Sequence, residues 1–227
     1  MTQGTLVAAG LAPSDAPPNL LGCLEETTRQ AVLASGRPRL YAAGEVVFRQ
    51  GAPHEGIHLI EDGLVRSFYL SEEGRELTLG FWSTGHYVGA PQMFGGGRHA
   101  WTSAAVVATR CLWLPGPQLR KLSLERPDLA LALLDALVHK SQCYCAVLQL
   151  LATHSMRVRL ARLLAMLAAR EGATDIGLSH GQLASMIGST RQWVSRTLVR
   201  FADEGLIEKR IDGRVQVLRP EKLAALG

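Results

Sequence analysis

The chain has 227 residues, enough for two small domains, and 47% hydrophobic with 19% charged residues marks a folded globular protein rather than a disordered one. Its net charge of +4 is unevenly placed: 12 Lys/Arg stand against 13 Asp/Glu from Met1 to His154, but 12 against 7 from Ser155 to Gly227. A basic module behind a near-neutral body points to a polyanion partner, nucleic acid before others. Cys23, Cys111, Cys143 and Cys145 form no paired CxxC spacing, which argues against a zinc ribbon, and no structural disulfide is expected. No basic segment leads into an apolar run at the start, and no run of 18 or more apolar residues occurs. Neither a signal peptide nor a membrane span is expected, and a cytoplasmic protein is. No nucleophile–base set, phosphate-binding loop or metal motif suggests an enzyme.

Met1 to Asn19, rich in Ala, Gly, Pro and Ser, reads as a flexible leader. A short helix is expected around Leu20 to Ala34. From Leu40 to about Leu114 the texture is β, with apolar runs punctuated by glycines at intervals of about 8–12 residues, the pattern of an antiparallel sandwich or barrel. Gly44–Gly51 (GEVVFRQG) is one strand. Ile57–Trp82 holds successive strands turning at Asp62-Gly63 and Glu73-Gly74, where glycine tolerates positive φ. This sensor-like domain is placed at 20–125.

From Gln118 to about Leu151 the period becomes helical. Pro127 suits a first helical position and Asp128 favours the positive helix end. Leu133, Leu137, Lys140, Tyr144, Val147 and Leu151 recur at spacings of three and four, beside a second stripe of Leu129, Ala136, Cys143 and Leu150. A helix this long, apolar on more than one side, is expected to pack on its own β-domain and on a second copy of itself, over 126–154.

The last segment, 155–227, is the most informative. Ser155 is an N-cap for the helix of MRVRLARLLAMLAAREG. Ser179 and Gln182 make a Ser-x-x-Gln capping box opening a short helix with Leu183, Ala184 and Ile187 inside. Gly188 breaks it, and Thr190 caps the next helix, whose inner face is Val194, Leu198 and Phe201. Arg191, Gln192, Ser195, Arg196 and Arg200 fall largely on other faces. An inner face that docks, with Arg and Gln near the N-terminus outside, is what a recognition helix needs: arginine pairs with guanine, glutamine with adenine. Gly205 ends that helix, and two strands around Asp212-Gly213 form a wing on which Lys209, Arg210 and Arg214 can meet phosphates. The expected DNA-contacting set is therefore Arg191, Gln192, Ser195, Arg196, Thr190, Ser179, Arg200, Lys209 and Arg214.

The GEVVFRQG strand, the glycine-punctuated β segment, the helix opening RPDLALALL and above all LASMIGSTRQWVSRTLVRFADEGLI resemble the Crp/Fnr family of transcription regulators, over about residues 20–220. The resemblance implies an α+β protein: an N-terminal double-stranded β-roll (a jelly roll of the cyclic-nucleotide-binding kind), a long dimerisation helix, and a C-terminal winged helix-turn-helix. It implies a homodimer reading palindromic double-stranded DNA and contacting RNA polymerase, with no membrane partner. The alternative is a nucleotide-responsive sensor acting through protein contacts rather than DNA. The family's base-reading positions fall on Arg191, Gln192, Ser195 and Arg196. Gln192 departs from the family's Glu; a carboxylate only accepts and suits cytosine, whereas an amide can pair with adenine, so a different base pair is expected there.

The sensor segment departs further. The family's Gly-Glu-Leu that holds a cyclic nucleotide falls on Gly89-Ala90-Pro91, its Arg-Ser pair on about Ala100-Trp101, and its adenine-touching helix residues on Tyr144 and Cys145. The ribose acceptor and phosphate cation are missing. Arg98, with the Gly95–Gly97 amides, is the substitute cation this region offers. Gly89, Arg98, Trp101 and Tyr144 are the candidate effector lining, for an effector of unknown identity; a small molecule, a cyclic dinucleotide or none remain open. Cys23 alone lies near the N-terminus and His54, His58, His86, His99 and His154 form no axial pair by pattern, so neither an iron–sulfur cluster nor haem is expected. The hinge is expected near Thr153–Ser155, setting two recognition helices about 34 Å apart, one DNA turn.

Overall fold

The structure is a computed structural model that describes residues 19–90, 92–171, 175–176, 178–210 and 214–226. The leader up to residue 18, Pro91 and the Asp212-Gly213 turn lie outside the described residues. The chain divides into two compact units. The first takes in residues up to Leu70 with Leu79–Tyr144; the second takes in Ser71–Thr78 and the chain from Cys145 on.

In the first unit, α1 (Glu26–Ser35) precedes eight strands: β1 (Arg37–Tyr41), β2 (Val46–Phe48), β3 (Gly56–Asp62), β4 (Leu64–Leu70), β5 (Glu76–Ser83), β6 (Tyr87–Val88), β7 (Thr102–Ala105) and β8 (Thr109–Pro115). They form two four-stranded sheets, ordered β1-β8-β3-β6 and β2-β7-β4-β5. Asp62-Gly63 is therefore a corner between sheets rather than a hairpin, while the Glu73-Gly74 turn joins β4 to its sheet neighbour β5. Ile57 and Leu59 of β3 stand opposite Leu114 and Leu112 of β8 and share one core with Val32, Leu119, Leu129 and Leu133. Period-two alternation turns His58 the other way, its ring 6.1 Å from that of Phe48 on β2.

The helix expected over Leu20–Ala34 begins later, at Glu26. Leu20, 1% exposed, is buried in a turn that the Asn19 side chain closes by accepting the Gly22 N–H at 3.1 Å. The helical stretch expected over Gln118–Leu151 is two helices, α2 (Gly116–Glu125) and α3 (Pro127–Thr153). Arg126 between them is extended, at φ −132°, because the proline ring after it disfavours the helical region. Asp128, in the first turn of α3, accepts the Thr28 hydroxyl at 3.0 Å and the Glu25 N–H at 3.1 Å, fastening α1 to it.

At 27 residues α3 reaches about 40 Å, and it is long and apolar enough by composition to pass as a membrane span. Its surface is sided, however. Leu129, Leu133, Ala136, Lys140, Cys143, Val147 and Leu150 are buried within the chain, while Leu131, Leu134, Val138 and Leu148 are exposed. Together with Ser141 and Cys145, the exposed residues follow a 3–4–3–4 spacing along one side of the helix.

The second unit holds α4 (Met156–Glu171), β9 (Asp175–Ile176), α5 (His180–Ile187), α6 (Arg191–Asp203), β10 (Ile207–Lys209), β11 (Val215–Val217) and α7 (Pro220–Ala224). The wing strands β10 and β11 gain a third partner, β9, which sequence reading missed; two residues carry no periodicity. Leu160, Leu164, Leu183, Ile187, Val194, Leu198 and Phe201 form its core, each no more than 0% exposed.

Candidate nucleic-acid interface and effector cage

The helix-turn-helix is built by local chemistry. Ser179 accepts the Gln182 N–H at 3.2 Å, and the Gln182 side chain returns to accept the Ser179 N–H at 2.8 Å: the capping box satisfies two N-terminal amides of α5. Gly188 sits at φ 67°, ψ 42°, the left-handed region that an L side chain resists, and the Gly188 and Ser189 amides turn back to the Ala184 carbonyl. Thr190 then caps α6 by accepting the Trp193 N–H at 3.2 Å.

Val194, Thr197, Leu198 and Phe201 are the docked face of α6. Arg191, Gln192 and Arg196 are exposed and Ser195 half-buried; these four line one open concavity of 690 Å³. Arg200 is exposed in the last turn, away from the N-terminal end that a recognition helix presents to bases. Ser179 and Thr190 spend their hydroxyls on caps. Ser195 hydrogen-bonds His180 Nδ1 at 2.7 Å, a partner that sequence reading did not name. Burial first, then the nearby positive charges of Lys209 and Arg191, holds the His180 imidazole below its ordinary pKa. A wing lysine and a recognition-helix arginine thus raise the potential around one side chain. Lys209 and Arg214 are exposed on the wing, where the Arg210 N–H meets the Arg214 carbonyl at 3.0 Å.

Arg157 braces α4 to the far end of α6. It donates to both Glu204 carboxylate oxygens at 2.8 and 2.6 Å and lies over the Phe201 ring. Arg159 donates to three carbonyls: His154 at 2.9 Å, Ile187 at 3.3 Å, and Leu151. These close the last turn of α3, the bend after it and the end of α5 with one guanidinium.

Of the candidate effector residues, the structure brings two together. Trp101 meets Tyr144 edge-on at 5.7 Å between ring centroids, and Tyr144 meets Trp82 at 6.2 Å. Gly89 serves backbone packing: at φ 107°, an added Cβ would lie 2.8 Å from the Gly56 carbonyl oxygen. Arg98 is exposed and donates to the Gly51 carbonyl at 2.6 Å. The Gly95 and Gly96 amides are spent on the Gln92 and His54 carbonyls at 2.9 and 3.0 Å. Neither they nor Arg98 form a phosphate cradle with the aromatic pair.

Sequence reading missed the rest of the aromatic cage. Lys140 of α3, 3% exposed, sets its ammonium 3.3 Å from the centre of the Trp82 ring and 5.0 Å from that of Tyr87. Burial pushes its pKa down to about 7, against a weaker opposing pull from Cys143. No carboxylate pairs with it among the described residues. Tyr87 is 0% exposed, and its hydroxyl has no hydrogen-bond partner among the described residues. His86 lies 5.9 Å from Trp82 and 5.9 Å from His139, ring to ring. A separate histidine group gathers deeper in the roll: His99 stacks on Phe48 at 3.8 Å and lies 4.2 Å from His54.

Comparison with known proteins agrees with both halves. The family model for a Crp-like helix-turn-helix domain matches residues 158–226, and that for a cyclic nucleotide-binding domain matches residues 38–126. The chain is 29% identical over 169 residues to the cyclic AMP receptor protein of Thermus thermophilus, covering 74% of this chain and 78% of that one. It is 27% identical over 203 residues to the transcriptional activator protein Anr of Pseudomonas protegens, covering 86% and 81%. The c-di-GMP responsive global regulator CLP of Xanthomonas campestris shares the fold, with a TM-score of 0.76 at 22% identity over 85% of this chain and 99% of that one. The matched domains, in their order along the chain, place the protein in the Crp/Fnr family of transcription regulators.

Proposed function

We propose that the protein is a cytoplasmic homodimer that reads a palindromic promoter site with α6 and answers to a small effector held between the β-roll and α3. The observation that carries the DNA reading is the N-terminal end of α6: Arg191, Gln192 and Arg196 are exposed around one concavity while Val194, Leu198 and Phe201 dock the opposite face. Arginine and glutamine there have the donors and acceptors to read base edges, and Lys209 and Arg214 on the wing can take phosphates. Support for the dimer comes from Leu131, Leu134, Val138 and Leu148, which leave an apolar seam on α3 in water. Two such chains related by a two-fold axis match a palindrome with half-sites about 34 Å apart. RNA polymerase is the partner such a DNA-bound dimer would act on.

Selection from a pool of palindromic duplexes at fixed salt tests this reading. A selected site should bind the wild-type chain tightly, and Arg191→Ala or Arg196→Ala should weaken specific binding by about 10–100-fold, one bidentate base contact each, without lowering the melting temperature. Unchanged affinity in both variants would favour action through protein contacts. The half-site should differ from the standard family one at the base pair facing Gln192, and Gln192→Glu should shift the preference there toward cytosine.

A further inference from the structure

Resting on the effector reading above, we propose that Lys140 and Tyr87 form the anion-binding end of that site, and that its ligand is a small aromatic carboxylate. The cage holds a buried ammonium and a buried hydroxyl, and among the described residues no carboxylate is paired with the first and no acceptor with the second. A hydroxyl buried without an acceptor and an amine buried without a counter-charge are both costly, and one carboxylate answers both. The ammonium rests meanwhile on the Trp82 face, a weaker partner than an anion in the same dry surroundings. Its four-carbon stem lets it swing off the ring toward a ligand.

The walls specify the body of that ligand. Trp82, Tyr144 and Trp101 form a continuous run of edge-to-face rings, which suits a flat apolar group rather than a ribose. A cyclic nucleotide suits the cage poorly, because its sugar hydroxyls find no acceptor where Ala90 stands and its phosphate no guanidinium where Trp101 stands. The titratable groups that face Lys140 are His86 between β5 and β6, Tyr87 on β6, and His139, Cys143 and Tyr144 on α3 itself. Burial holds both histidines low and both phenols high, so each of these four favours its neutral form, and only Cys143 pulls, more weakly than burial, toward the charged lysine. A bound anion would restore the Lys140 proton that burial has loosened.

The test is calorimetry on the full chain at about pH 8, in two buffers of different ionisation enthalpy, with benzoate, 2-naphthoate, their carboxamides and cyclic AMP as probes. Expected are saturable binding of a carboxylate, at least about tenfold weaker binding of its carboxamide, and uptake of up to one proton per carboxylate bound. Lys140→Met should remove the proton uptake and the preference for carboxylate over carboxamide. It should also leave the melting temperature unchanged or higher, since it replaces a buried amine without a counter-charge by an apolar side chain of similar length. A fall in melting temperature would mark Lys140 as a structural cation–π anchor and overturn the proposal. So would equal binding of carboxamide and carboxylate, proton uptake that persists in Lys140→Met, binding of cyclic AMP alone, or no binding of any carboxylate. None of these failures touches the DNA reading, which the duplex selection tests by itself.

Discussion

Arg159 offers the sharpest test of how the helix-turn-helix is held to the end of the long helix. Its guanidinium donates to the carbonyls of Leu151, His154 and Ile187, which lie at the last turn of α3, the bend after it, and the C-terminus of α5. Two of these carbonyls sit at negative helix ends, where a cation is favoured. A hydrogen bond from a charged donor contributes about 1.5–3 kcal/mol; three that share one group do not add, the Ile187 bond is long, and freed carbonyls regain water. Arg159→Met, which keeps the stem and removes the fork, should therefore cost about 3 kcal/mol. Hydrogen exchange resolved to peptides is the right assay, because it reads each of the two units separately. Amides over 151–160 and 184–188 should exchange about 100-fold faster, while β3 and β8 keep their rates. Arg159→Lys, a point charge without the fork, should fall between. Unchanged exchange over 151–160 in Arg159→Met would refute the clamp.

Caps, acid and cross-linking supply further checks. Ser179→Ala and Thr190→Ala should each lower stability by about 1 kcal/mol in denaturant unfolding followed at Trp193, because each strands an N-terminal helix amide. Burial holds the imidazole of His58 down at about 3 and those of His86 and His99 at about 4, so all three stay neutral in the folded chain. Their contribution is complete above the unfolded pKa of about 6.5 and is lost as pH falls from there toward about 4, by up to ~1.4 kcal/mol per pH unit for each histidine. Unfolding midpoints measured between pH 7 and pH 4.5 should fall with that slope, and a triple His→Gln variant that folds should flatten it. Cys145 lies on the exposed seam of α3, so a mild oxidant should join two chains of a Cys23→Ser variant into a covalent dimer; only monomer would argue against a parallel seam at that register.

The two halves of the chain differ in how far their residues announce them. The helix-turn-helix is written in neighbours: Ser179 with Gln182, Gly188 at the turn, Thr190 with Trp193, and Val194, Leu198 and Phe201 one helical turn apart. Each is a contact over three or four residues, so spacing alone reveals it. The same locality explains the departures. The Arg126 break was legible in the proline after it: Pro127, read as a first helical position, opens α3. Asp62-Gly63 has the residues of a tight turn whether it joins strands of one sheet or of two, and only the pairing of β3 with β8 and of β4 with β7 decides that. On α3, the periodic stripe through Leu133, Lys140 and Val147 is turned into the chain, while the seam left in water runs through Leu131, Leu134, Val138 and Leu148. A helix apolar on several sides has more than one valid stripe, and sequence does not rank them.

The aromatic cage lies at the opposite extreme. Trp82, Tyr87, Trp101, Lys140 and Tyr144 come from four separate parts of the chain, and no spacing connects a lysine on a helix to a tryptophan 58 positions earlier. In the sequence, Lys140 stands at an inward position of α3 among leucines, where a lysine would ordinarily reach back to water along its stem. Only the fold reveals that it does not: the ammonium ends on a tryptophan face, 3% exposed, with no acid at hand. A buried amine left without a counter-charge is an arrangement that stability alone selects against. Its place beside the Tyr87 hydroxyl, with no carboxylate paired to it among the described residues, is the reason to look for its counter-charge in a ligand.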